Sequence, residues 1–86
     1  MTNRKTYAHL RDVITGEMTN YLELSHQYWK YSTTDSDPEK RASWKRMSAE
    51  ARTRAEALFL ILNAEGCMSN TQYDEIDRHA LQKIIG

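Results

Sequence analysis

Residues 32–39 read STTDSDPE, and this polar stretch decides the fold because of what stands on either side of it. Asp37, Pro38 and Glu39 have the order of an N-cap, a first helical residue and an acidic first turn, so a helix starts at Pro38. Ser32–Asp37 then reads as a connecting turn. Upstream, Tyr7, Leu10, Ile14, Met18, Tyr21, Ser25 and Tyr28 recur in steps of three and four, which predicts a helix over 5–31. Gly16 costs about 1 kcal/mol relative to alanine there and is where a break or kink would fall. Downstream, Trp44, Met47, Ser48, Ala51, Ala55, Leu58, Phe59 and Leu62 form a second row. Gly66 suits the left-handed position after a helix end, so the second helix runs from Pro38 to about Glu65. Its small middle (Ser48, Ala51, Ala55) permits close helix approach. Its apolar end, Ala57 to Leu62, needs neighbours on more than one side.

A third helix is expected over 71–85. Ser69 and Gln72 have capping-box spacing, and Asp74, Glu75 and Asp77 enrich its first turns. Asp74–Arg78 and Glu75–His79 are i,i+4 pairs in the favourable order. The fold read from these signals is all-α. It is a single domain over residues 1–86, a long antiparallel helical hairpin with a shorter third helix packed over one end, making a three-helix bundle. With the turn at Ser32–Asp37, Leu10 is expected near Phe59, Ile14 near Ala55, Tyr21 near Ser48 and Tyr28 near Arg41–Trp44. Tyr73, Ile76, Ala80 and Ile84 are expected along Leu62, Phe59, Ala55 and Ala51.

Lengths then raise a question of cover. At 1.5 Å per residue the hairpin extends roughly 40 Å and the third helix roughly 22 Å. On this reading the third helix stops short of the aromatic half, with Tyr21, Tyr28, Trp29, Tyr31 and Trp44. There the apolar arc of the first helix is broad, with Leu22 and Trp29 on one edge and Leu24 and Tyr31 on the other. Tyr, Trp, Met and Arg dominate interface hot spots. The expected partner-binding residues are therefore Tyr21, Tyr28, Trp29, Tyr31 and Trp44, with Arg41 and Lys45 beside them. The partner is a second copy in a homo-oligomer, chiefly a homodimer, or another protein. The competing arrangement bends the hairpin at Gly16, or folds the N-terminal turn over, so that the rings form an ordinary core.

Charge narrows the alternatives. Twelve basic residues balance twelve acidic ones and the isoelectric point is about 6.8, so the whole chain exerts no strong field on nucleic acid or anionic membrane. Lys30, Lys40, Arg41, Lys45, Arg46 and Arg52 form a local basic rim. Interleaved with rings, such a rim can grip single-stranded nucleic acid, but solvated Lys and Arg stems covering apolar rings describe it as well. A helix-turn-helix reading of residues 50–85 fails, because Asp74, Glu75 and Asp77 would face phosphates. A small inhibitor occupying a larger protein's functional surface also fits the size.

Nothing in the sequence points to an enzyme, a cofactor or a metal. His9, His26 and His79 lack helical metal-site spacing, and no phosphate-cradling or nucleophile motif occurs. The lone Cys67 excludes an intrachain disulfide and fits a reducing, cytoplasmic setting. The polar start, Met1 to Thr6, argues against a signal peptide. The apolar run from Ala57 to Leu62 is too short to span a membrane.

Overall fold

The computed structural model describes residues 4–86, with side chains from Thr6 onward. Met1–Asn3 lie outside the described residues. Three helices make up the described chain: α1 (Arg4–Thr34), α2 (Pro38–Ala64) and α3 (Asn70–Ile85). α1 packs against α2 as a long hairpin and α3 packs less extensively, as a three-helix bundle. The molecule measures 54 × 22 × 18 Å. Its radius of gyration is 15.0 Å, against about 12 Å for a compact domain of this length.

Local chemistry sets the boundaries. Asp37 caps α2 by accepting from the Glu39 amide at 2.9 Å, with Pro38 in the first turn. Gly66 takes φ +72°, the one left-handed glycine among the described residues, and turns the chain out of α2. Ser69 and Gln72 complete their capping box in both directions. α1 runs unbroken through Gly16.

α1 continues three residues beyond its expected end. Thr33 and Thr34 turn their hydroxyls back to the Lys30 carbonyl, at 2.8 and 3.0 Å, and so extend the helix instead of opening a turn. The midpoint of the connection therefore falls at Ser36, and the register of the hairpin moves by about one helical turn. Ser25, not Tyr21, meets Ser48: the Ser48 hydroxyl donates to the Ser25 carbonyl at 2.7 Å. Leu10 and Ile14 line one groove with Ile61 and Leu62. Tyr28 stacks on Trp44, with ring centroids 5.7 Å apart.

α3 also lies differently from the expectation. It packs chiefly against α1, parallel to it, although Tyr73 meets Phe59 of α2 near its expected place. Lys83 pairs with Glu23 at 3.0 Å, Asp77 meets His26, and Lys30 donates to the Ile84 carbonyl at 3.2 Å. α3 therefore packs over the end of the hairpin that holds the α2–α3 turn and extends along α1 to the foot of the aromatic half. The core beneath it is formed by Met18, Leu22, Ala55, Leu62, Met68 and Ala80, with Phe59 and Tyr73 closing it at 4.5 Å between rings. Met18 and Leu22 are fully buried.

Asp77 fastens α3 to both long helices. Its carboxylate accepts from His26 Nε2 at 2.6 Å and pairs with Arg52 Nη1 at 3.0 Å. Burial alone would raise this carboxyl; the Arg52 and His26 bonds outweigh it and hold the group below its ordinary 3.8. A depressed folded value means that the stabilisation is full above 3.8 and drains away as pH falls through the folded value. Urea midpoints of the native chain are therefore expected to be level above about pH 5 and to fall on further acidification. Asp77→Asn should lower the plateau and flatten the fall; an equally steep fall in that variant would show that Asp77 does not carry the dependence.

Candidate functional site

The hairpin has two long sides, and α3 occupies only one of them. Thr15, Thr19 and Glu23 of α1 face Ile76, His79 and Lys83 of α3. A helical step of 100° per residue then puts a different set of α1 side chains on the side away from α3. Leu10, Glu17 and Tyr31 lie along it at multiples of seven, with Ile14, Tyr21 and Tyr28 filling the alternate steps, while Leu24 of the same series turns outward to line a cleft with Ile84 of α3. On α2 the matching row is Met47, Ala51, Arg54, Leu58 and Ile61, again in steps of three and four. Sustained spacing of this kind is what a helix–helix seam requires.

Much of this double row is open. Leu10 is 52% exposed, Ile61 51% and Tyr31 40%. Met47 and Val13 are exposed beside them. At the end farthest from the aromatic half, Tyr7, Leu10, Ile14, Ile61, Leu62 and Cys67 line an apolar groove of about 140 Å³. The Tyr7 hydroxyl lies 3.1 Å from Cys67 Sγ across it. Midway along, the Arg54 guanidinium sits over the Tyr21 ring, 5.8 Å from its centroid. Among the described residues neither Glu17 nor Arg54 has an ion-pair partner.

The seven residues expected to bind a partner do not form one patch. Tyr28 and Trp44 stack on each other, and Tyr31 tilts against Trp44 at 5.0 Å, so part of the aromatic half is closed internally. The Trp44 indole N–H is committed to Asp35 Oδ2 at 3.1 Å, while Asp35 Oδ1 accepts from the Asp37 amide at 3.0 Å. These bonds, the amide first, hold the Asp35 carboxyl below its ordinary range. Tyr21 and Tyr31 lie in the row away from α3. Trp29 and Lys45 lie on the α3 side, with the ammonium 6.0 Å from the indole, and line a shallow cleft of about 460 Å³ with His26, Arg52 and Leu81. Arg41 donates to the Asp35 and Ser36 carbonyls at 3.1 and 3.3 Å and serves the turn.

The basic rim is correspondingly thinner than its sequence. Arg41 is occupied by the turn, Arg52 by Asp77 and Lys30 by the end of α3. Lys40, Lys45 and Arg46 remain exposed on α2. Among the described residues no three His, Cys, Asp or Glu side chains gather in a metal-binding group. No helix among them is long and apolar enough to cross a membrane.

Sequence reading missed Glu17, Met47, Arg54 and Ile61 as candidates. Their signal was present as a second row of three- and four-residue steps beside the core row. Which row faces outward depends on the side that α3 takes, and that rests on the Asp77 contacts. Comparison with protein-family models, with curated proteins and with solved structures finds no match to this chain.

Proposed function

We propose that this chain is a small, non-enzymatic, cytoplasmic interaction module that works by protein–protein contact, first of all by associating with a second copy. The surface used is the side of the hairpin that α3 leaves open, running from the Leu10–Ile61 groove to Tyr31 and Met47. The aromatic half contributes Tyr21 and Tyr31 to it, with Tyr28 and Trp44 as the internal wedge that holds Tyr31 in place.

The observation that carries this reading is the excess of surface. The chain exposes 6203 Å², whereas a compact monomer of its 10.1 kDa mass exposes about 5300 Å². The excess, about 900 Å², follows from an elongated fold in which one apolar side of the hairpin is left without cover. Apolar rows on two antiparallel helices are also half of a four-helix bundle, and a second hairpin supplies the other half. Nucleic-acid binding through the rim has less support, since three of its cations are occupied within the fold.

A dilution series followed by amide NMR tests the reading. Amide signals of Leu10, Tyr31, Met47, Leu58 and Ile61 are expected to move with protein concentration, while those of Glu75, His79 and Lys83 stay still. Signals that do not move at any concentration, or that move only along α3, would remove it.

A further inference from the structure

Resting on that reading of self-association, we propose that the two copies are related by a two-fold axis parallel to the helices. Glu17 of each α1 then pairs with Arg54 of the partner's α2. The two residues are the charged positions in otherwise largely apolar rows. They also stand at nearly the same height: Arg54 lies over Tyr21, one turn along α1 from Glu17. Neither charge is paired within the chain among the described residues.

Two hairpins meeting by these faces have two simple symmetric choices. An axis along the helices keeps every residue at its own height and sets α1 over the partner's α2. Glu17 then meets Arg54 twice, once on each side of the axis. Each neighbouring helix pair in the resulting bundle is antiparallel, so helix dipoles oppose favourably. An axis across the helices inverts the heights and sets α1 on its own copy. Glu17 then faces the level of Leu24, and Arg54 the level of Met47 or Ala51. Four charges would be placed against apolar side chains without counter-charges, which is costly. Charge complementarity selects the first arrangement.

Charge reversal with mixing tests it. Glu17→Arg places two cations together at each contact and Arg54→Glu places two anions together. Each variant alone is expected to lose dimer affinity by about a hundred-fold or more, as like charges meet. In a mixed pair of the two variants, one contact brings together the two substituted side chains, an arginine from one copy and a glutamate from the other. The second contact keeps the native Glu17 and Arg54. Opposite charges thus meet at both contacts, and the mixture should recover a heterodimer, read by native mass spectrometry. Circular dichroism of each variant checks that the helices are intact. If the native chain dimerises but the reversals change nothing, or mixing restores nothing, the axis and the pair are wrong while self-association stands. A native chain that stays monomeric throughout would instead remove the reading on which this proposal rests.

Discussion

Replacing Leu10 and Ile61 together by glutamate is expected to yield a folded monomer. Both side chains are about half exposed in the single chain, so the cost to its own fold should be modest beside that of a core substitution. In the proposed dimer both are buried, and a symmetric assembly receives each new charge twice. Unpaired buried charges cost several kcal/mol each after relaxation, so the dissociation constant should rise by about a thousand-fold or more. Light scattering reads the change as a loss of the larger species. Asn20→Glu with Ala57→Glu adds the same charge at exposed positions off the two rows and should leave the mass unaltered. If both double variants weaken association equally, net charge is responsible and the assigned face is wrong.

The second large effect belongs to the core. Leu22 is fully buried where α1, α2 and α3 converge, and Leu22→Ala should cost about 2–5 kcal/mol through lost burial and a residual cavity. A chain of this length has about 4–13 kcal/mol in all at typical stability per residue. The substitution therefore removes a large share and is expected to shift the urea midpoint strongly downward. Leu10→Ala, the same chemical change at an exposed position, should cost far less in the isolated chain. Association stabilises the folded state by mass action, so the two variants must be compared at one protein concentration. Equal losses would place Leu10 in the core and contradict the open groove beside it.

Much of the fold could be read from punctuation. Asp37–Pro38–Glu39, Gly66 and the Ser69–Gln72 pair marked helix ends because each satisfies or avoids an orphan backbone group, and such effects are local in sequence. The register was less legible. Thr33 and Thr34 are turn-forming by type, yet here their hydroxyls return to the Lys30 carbonyl and prolong α1, which slides every cross-hairpin pairing. The seat of α3 was legible only in part, since Tyr73 meets Phe59 near its expected place while the closer packing on α1 was not foreseen. Its amphipathic row fits either long helix, and the choice rests on Asp77 meeting His26 and Arg52, groups distant in the chain.

The candidate surface was legible in the same partial way. Breadth of the apolar arc on α1 marked an unusual helix, and Tyr21 and Tyr31 came from that breadth. The rings alone do not tell which edge is covered. Trp29 and Lys45 went to the α3 side, while Glu17 and Arg54 drew no attention because isolated charges look like ordinary solvated positions. They gain meaning only once α3 has been placed and the opposite rows are seen to be open.

The most direct test of the central claim is the mass of the purified chain by sedimentation equilibrium across a concentration series. Self-association through the open hairpin face predicts a mass that rises to twice the 10.1 kDa of one chain and levels there. A mass fixed at 10.1 kDa at every concentration up to about 100 μM would contradict it, since interfaces of standard size bind in the micromolar range or tighter.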